Sequence, residues 1–339
     1  MKTGVVGASG YAGGELIRLL SFHPNFKLSY IAAGTNAGEP ITNIHSQLTQ
    51  YSGIKFSPTE VAKINECELV FMALPHGESA NLISKVDPSV KIIDLGADFR
   101  LANKGAWEKY YSGDYAGKWQ YGLPELLEMD PKNNRVANPG CYATAIALAA
   151  APVIKSAKIV QEDIVVVAAS GTTGAGRSAK INLLASEVMN SLTSYKFGGI
   201  HQHTPEIEET LMEISGGNKV KISFTPILAP MPRGILATVT ATLNCKISQS
   251  EVRKIYEDFY KDSKFVHLLL ENQMPQTNSV LGSNSAHLQV AIDEHTNRFI
   301  CSVAIDNLGK GAAGQAIQNA NIICGLPEDS GLTAIGIGS

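Results

Sequence analysis

The sequence predicts an α/β protein: a doubly wound parallel sheet first, then a second domain built on a mixed sheet. Three observations carry this. Apolar runs alternate with helical segments over the first third of the chain, and residues 68–74 (ELVFMAL) and 91–95 (KIIDL) are apolar on both faces, as strands covered by helices on each side must be. A glycine-rich stretch at 7–13 separates the first strand from the first helix, where a nucleotide-binding βα turn is built. Beyond residue 145 the texture changes, most clearly at 236–243, where Ala237, Val239 and Ala241 alternate with Thr238, Thr240 and Thr242. Alternation of this kind belongs to a sheet with one solvated face.

Taken in order, residues 3–6 form the first strand, and Leu16, Leu19 and Leu20 share a helix face that His23-Pro24 ends. Residues 27–33, 68–74 and 91–95 supply further parallel strands. Later strands are expected at 164–169, 220–224, 236–243, 288–293 and 298–305. Helical spacing returns at 311–325, with Ala313, Ile317, Ala320 and Ile323 on one face and Gly325 and Pro327 as stops.

With 339 residues, two domains of roughly 100–200 residues are possible. A hydrophobic content of 44% against 17% charged residues excludes a disordered chain. Net charge is −3, with no run of Lys or Arg, so the basic footprint of a nucleic-acid binder is missing. The longest apolar run, 143–154, is too short to cross a bilayer and is interrupted by Thr144 and Pro152. The chain opens directly into a strand, so no signal peptide is expected. Five scattered cysteines without a CxxC make neither a disulfide framework nor a zinc site; they suit a reducing, cytoplasmic setting.

Gly7-Ala8-Ser9-Gly10-Tyr11-Ala12-Gly13 is a GxxGxxG pattern. Glycine is needed where the backbone turns sharply and approaches a pyrophosphate, and the following helix supplies N–H donors. Gly7, Ser9, Gly10, Tyr11 and Gly13 are therefore expected to hold a dinucleotide. Residues 32–36 (AAGTN) offer no carboxylate for a ribose 2′-OH, which favours NADP over NAD and leaves Thr35 as a small polar contact. Cys141 follows Asn138-Pro139-Gly140 and opens an Ala-rich helix. The positive end of a helix lowers a thiol pKa and makes a nucleophile, and N–H groups there can hold an oxyanion. Cys67, Cys245, Cys301 and Cys324 lie instead within strand or helix patterns. In His201-Gln202-His203-Thr204-Pro205-Glu206, Thr204 as N-cap and Pro205 as first helical residue place His203 just outside a helix start. A neutral imidazole is favoured there and can act as a base; if 199–203 is extended, His201 points to the opposite side. The loop 170–177 (SGTTGAGR), which contains Gly174, is a candidate backbone nest for a phosphate or nicotinamide. Arg100, Arg177 and Arg233 are candidates to hold an acidic substrate, with surface ion pairs as the plainer alternative. Asn307 lies in the turn (DNLGKG) that introduces the last helix.

Assembled, these residues resemble the N-acetyl-γ-glutamyl-phosphate reductase family of the aspartate-semialdehyde dehydrogenase-like superfamily. The carriers are GASGYAGGEL at Gly7, ALPHG at Ala73, IDLGADFRL at Ile93, YGLPEL at Tyr121, ANPGCYATA at Ala137, GAGR at Gly174, HTPEI at His203, PMPRGIL at Pro230, LGSN at Leu281 and DNLGKGAAGQAIQNAN at Asp306. The resemblance implies a Rossmann-like NADP-binding domain over 1–145 and 308–339, and an α+β catalytic and dimerisation domain with a mixed sheet over 146–307. It also implies a last helix packed back on the first domain and a homodimer or homotetramer. The activity implied is NADPH-dependent reductive dephosphorylation of N-acetyl-γ-glutamyl phosphate to N-acetyl-L-glutamate 5-semialdehyde, in arginine biosynthesis. Cys141 would carry a thioacyl intermediate, His203 or else His201 would move protons, and no metal is called for. Two positions depart from the family pattern: Gln202 stands where Arg is usual between the histidines, and Ile227 where His is frequent. Two readings compete. One is reduction of a related acyl phosphate (aspartyl, or carrier-linked aminoadipyl or glutamyl); the other is a non-catalytic NADP-binding sensor.

Overall fold

The structure is a computed structural model and describes residues 1–338. The chain divides into two compact units. The first comprises residues 1–124, 129–139 and 312–332; the second comprises 125–128, 140–311 and the residues from Thr333 on. Among the described residues, the α-helices of ten residues or more are α1 (Tyr11–Leu20), α2 (Cys141–Lys155), α3 (His203–Ile214), α4 (Gln249–Tyr260) and α5 (Gly314–Ile323).

The first unit contains the expected doubly wound parallel sheet. Its strands are β1 (Lys2–Val6), β2 (Lys27–Ala32), β3 (Leu69–Met72), β4 (Lys91–Asp94), β5 (Gln120–Tyr121) and β6 (Arg135–Ala137), in the order β2-β1-β3-β4-β6-β5. Alternation sorts their side chains onto two buried faces. Val5, Leu69, Phe71, Ile93 and Val136 pack with Leu16, Ile17 and Leu20 of α1 and with Ala316, Ile317 and Ala320 of α5. Val6, Val70, Met72, Ile92 and Ala137 pack with Ile64, Ile83 and Val86 on the other side. Both faces are covered, so the strands read as unbroken apolar runs. The strand order turns back at β1, which lies between β2 and β3. Gly7 leaves the carboxyl end of β1 at this switch point, where open α/β sheets bind their ligands.

The second unit holds a seven-stranded mixed sheet. Its strands are β7 (Ile159–Ser170), β8 (Thr193–Ser194), β9 (Ile222–Leu228), β10 (Ile235–Leu243), β11 (Val266–Leu268), β12 (Ala286–Asp293) and β13 (Arg298–Ile305), in the order β11-β12-β13-β10-β7-β9-β8. The β7–β9 and β11–β12 pairs are parallel and the rest antiparallel. Ala237, Val239 and Ala241 are buried on the face that carries α2, while Leu236 and Thr238 are exposed on the other.

Helix α2 is buried from Tyr142 to Ile154, although Pro152 cannot donate a hydrogen bond to the Leu148 carbonyl. Tyr260 of α4 donates its hydroxyl to that carbonyl at 2.6 Å, and Tyr256 donates to the Ala149 carbonyl. A buried backbone acceptor left without a donor would cost about 1–3 kcal/mol; α4 removes that cost. The helical spacing expected from residue 311 begins instead as a π turn over Gly309–Ala313, ahead of α5. Packing is close where the turn begins: a Cβ at Gly309 would lie 2.1 Å from the Ser283 carbonyl oxygen.

Candidate active site

In the first unit, Gly7 has φ +78°, and a Cβ there would come within 2.3 Å of the Ala73 carbonyl oxygen. At Gly13 a Cβ would meet the Gly7 carbonyl oxygen at 2.5 Å. These glycines let the loop pack directly on its own backbone and on the residue after β3, a turn that no side chain would fit. Gly10 is the N-cap of α1 and supplies no side-chain cap to the first-turn N–H groups; its own N–H donates to the Gly7 carbonyl at 3.2 Å. The residues present therefore fit a dinucleotide pyrophosphate. Thr35 sits in the exposed turn after β2. Sequence reasoning missed His45: its Nε2 lies 2.9 Å from the Ala8 carbonyl oxygen, and its ring fills the space a Cβ on Gly14 would take. The paired glycines at 13–14 were the available signal.

The loops after β3 and β4 are tied by buried carboxylates. Asp98 accepts the N–H groups of Gly77 and Ala80, and Asp94 accepts from Ser79 Oγ and the Gly96 N–H. Burial pushes the Asp94 carboxyl up to about 6. Arg100 is buried and donates to the backbone carbonyls of Asn138 and Leu95, at 2.8 and 2.7 Å.

In the second unit, Cys141 is the first residue of the fifteen-residue α2, with Gly140 as its N-cap. Glu206, buried in the first turn of α3, accepts the Gly140 N–H at 2.7 Å. The start of α2 is thus clamped by α3. Gly311 closes in from the π turn: a Cβ there would stand 2.8 Å from Cys141 Cβ. The Tyr142 ring meets both His201 and His203 edge-on, at 5.4 and 6.1 Å between centroids.

The histidine turn differs from expectation. Helix α3 starts at His203, with Gln202 already in helical geometry as N-cap, so Thr204 is inside the helix and caps nothing. The segment before it is not extended. His201 and His203 share one aromatic cluster, their rings 4.9 Å apart, rather than pointing to opposite sides. The His203 N–H donates to His201 Nδ1 at 3.1 Å, so the imidazole of His201 performs the duty expected of Thr204. Burial, with the charges of His203 and Lys196 adding to it, pushes His201 down to about 2. It is therefore neutral in the physiological range, with Nδ1 as acceptor. Tyr195 donates its hydroxyl to the Tyr142 hydroxyl at 3.1 Å, and burial pushes Tyr195 up to about 12.

The candidate arginines have different surroundings. Arg233 makes a bidentate pair with the buried Asp306, Nε–Oδ1 3.0 Å and Nη2–Oδ2 2.6 Å; Asp306 also accepts the N–H groups of Gly282 and Leu308. Arg177 lies exposed beside Gly176, whose φ is +82°. Asn307 is a buried knot: its Oδ1 accepts the Gly234 N–H and its Nδ2 donates to Thr173 Oγ1. Gly174 is in the short 3₁₀ turn beside it. Sequence reasoning also missed Glu206, although the HTPEI motif contained it, and Tyr195 and Lys196, which no local pattern marked.

Two family models match this chain: the NAD-binding domain of semialdehyde dehydrogenase over residues 2–133, and the semialdehyde dehydrogenase dimerisation domain over residues 141–307. A crystal structure of aspartate semialdehyde dehydrogenase II from Vibrio cholerae shares the fold, with a TM-score of 0.70 at 15% identity, covering 95% of this chain and 98% of that one. Fold and domains together define an NAD(P)-binding oxidoreductase of the semialdehyde dehydrogenase class. Within that class, the N-acetyl-γ-glutamyl-phosphate reductase of Acidothermus cellulolyticus is 51% identical, covering 99% of this chain and 98% of its own. The enzyme of the same name from Salinispora tropica is 49% identical, covering 99% of each. The chain belongs to the N-acetyl-γ-glutamyl-phosphate reductase family. Among the described residues, no helix is long and apolar enough to cross a membrane.

Proposed function

We propose that this protein reduces N-acetyl-γ-glutamyl phosphate to N-acetyl-L-glutamate 5-semialdehyde, releasing inorganic phosphate, with NADPH as reductant. The observation that carries the reading is Cys141 at the first position of α2, one residue from a tyrosine whose ring meets both histidines. The helix N-terminus stabilises the thiolate, which attacks the acyl carbon; a C–S bond forms, the C–O bond to phosphate breaks, and phosphate leaves. Backbone N–H groups at the start of α2 take up the developing oxyanion. A dinucleotide held by the 7–13 loop would supply the hydride. His203 protonates the resulting alkoxide and takes the proton back as the C–S bond breaks, which frees the aldehyde and the Cys141 thiolate.

The glycines of the 7–13 loop would hold the pyrophosphate, and the absence of a carboxylate at residues 32–36 leaves room for a 2′-phosphate, so NADP is preferred over NAD. Exposed Val167 and Leu236 on the open face of the second sheet support a homodimer or homotetramer built through that face. Five cysteines that all remain thiols suit a cytoplasmic enzyme.

The test is the reverse reaction: purified protein, inorganic phosphate, and N-acetyl-glutamate, aspartate or aminoadipate semialdehyde, each with NADP and with NAD. Turnover with N-acetyl-glutamate semialdehyde and NADP, lost in Cys141→Ser while NADP still binds, is the expected result. Substantial activity in the Ser variant would falsify the covalent route, and equal kcat/KM with NAD would remove the cofactor preference. A preference for another semialdehyde would reassign the substrate.

A further inference from the structure

An acyl phosphate with a distal carboxylate brings two anionic groups to the site, and something must receive them. In the second unit, the cations nearest the reacting residues are mostly spoken for. Asp306 engages the Nε–Nη2 edge of the Arg233 guanidinium through both carboxylate oxygens. Lys310, in the π turn that abuts Cys141, is fully buried against Glu125 at 2.5 Å. Lys196 is different. Its Nζ donates to Gln202 Oε1 at 2.7 Å, a neutral amide that leaves the charge uncompensated, and among the described residues no carboxylate pairs with it.

The backbone is shaped to put it there. Lys196 has φ +42°, in the left-handed region that a lysine rarely adopts, and Gly198 and Gly199 follow at +79° and +78°. Strain of this kind persists only where surrounding structure holds it, and it clusters at functional sites. Three left-handed residues within four fold the chain back, so that residue 196 reaches residue 202. Just before it, Tyr195 donates to Tyr142, and Cys141 is close enough to act electrostatically on both tyrosines. Lys196 in turn acts electrostatically on His201. The 195–196 pair therefore spans from the neighbourhood of the nucleophile to the histidine turn.

Resting on the reading above, we infer that Lys196 is a substrate-binding residue, an ammonium braced on Gln202 that receives an oxyanion of the substrate beside the histidines. One N–H is committed to Gln202, and two remain for a phosphoryl or carboxylate oxygen.

The experiment compares wild type, Lys196→Met and Lys196→Arg as full-length enzymes. The side chain is exposed, so folding should survive. In the reverse reaction Lys196→Met should raise the KM of one anionic reactant roughly ten- to a hundredfold, the scale of one charge-assisted hydrogen bond, with a far smaller change in kcat. Lys196→Arg should restore most of it. A rise confined to inorganic phosphate assigns the phosphoryl group; a rise confined to the semialdehyde assigns the carboxylate. A second readout does not depend on turnover: protection of Cys141 from iodoacetamide by inorganic phosphate or N-acetyl-glutamate, which Lys196→Met should lose while the unprotected alkylation rate stays unchanged. Unchanged KM values with intact protection would overturn the inference. So would a fall in unprotected alkylation, which would make the lysine a structural prop. If wild type fails to turn over but protection still depends on Lys196, the anion site stands and the assigned reaction falls.

Discussion

His203 and His201 look equivalent in a one-letter string, but their surroundings separate them. His201 is buried and spends Nδ1 on the His203 backbone N–H, which suits it to orient the start of α3. Asparagine can replace that acceptor through its side-chain oxygen; it cannot replace a base. His203→Asn is therefore expected to lower kcat by roughly 10²–10⁴, and His201→Asn by far less. The reverse ranking would move the base to His201. Wild-type kcat in both variants would take the pair out of the mechanism.

The loop after β4 shows how one buried group couples an element to pH. Asp94 is fully buried and receives Ser79 Oγ and the Gly96 N–H on a single carboxylate oxygen. Burial outweighs those two bonds and raises its pKa to about 6, from the ordinary 3.8. With the folded pKa above the unfolded one, the native state holds its proton longer. The associated stability is fully present below about pH 4 and is lost as pH rises through 6. Asp94→Asn keeps an acceptor for both donors and cannot ionise. Its stability relative to wild type should improve on going from pH 4 to pH 8, by up to about 3 kcal/mol. Urea unfolding of both proteins at the two pH values is the measurement, and an identical difference at each would refute the argument. The same loop holds Arg100 on the Asn138 and Leu95 carbonyls, which makes that arginine a brace for backbone.

For the whole molecule, the second sheet is covered on one face by α2 and open on the other, where Val167 is 44% exposed and Leu236 37%. Exposed apolar side chains set among the threonines of this face suit a protein–protein contact. Light scattering should give a mass at least twice the 36.1 kDa of the chain, and Val167→Glu should reduce it to one chain by burying a charge without a partner. A monomeric wild type, or an undisturbed oligomer in the variant, would reject this face as the interface.

Sequence alone determined the parallel sheet, the alternating strands of the second unit, the glycine turn before α1 and Cys141 at a helix start. Each is a local signal: a period of two, a glycine at positive φ, or a cap immediately before a helix. What only the tertiary structure decided depends on groups far apart in the chain. Glu206 reaches Gly140 across 66 residues, and Asp306 meets Arg233 across 73. The Tyr260 hydroxyl repairs the carbonyl that Pro152 leaves open, 112 residues away. The histidine turn was misread because a Thr-Pro pair is an ordinary helix start, and no local pattern shows that a buried imidazole two residues upstream will accept the hydrogen bond instead. Periodicity reports which face of an element is buried; it carries no information about which polar group from another element will be found there.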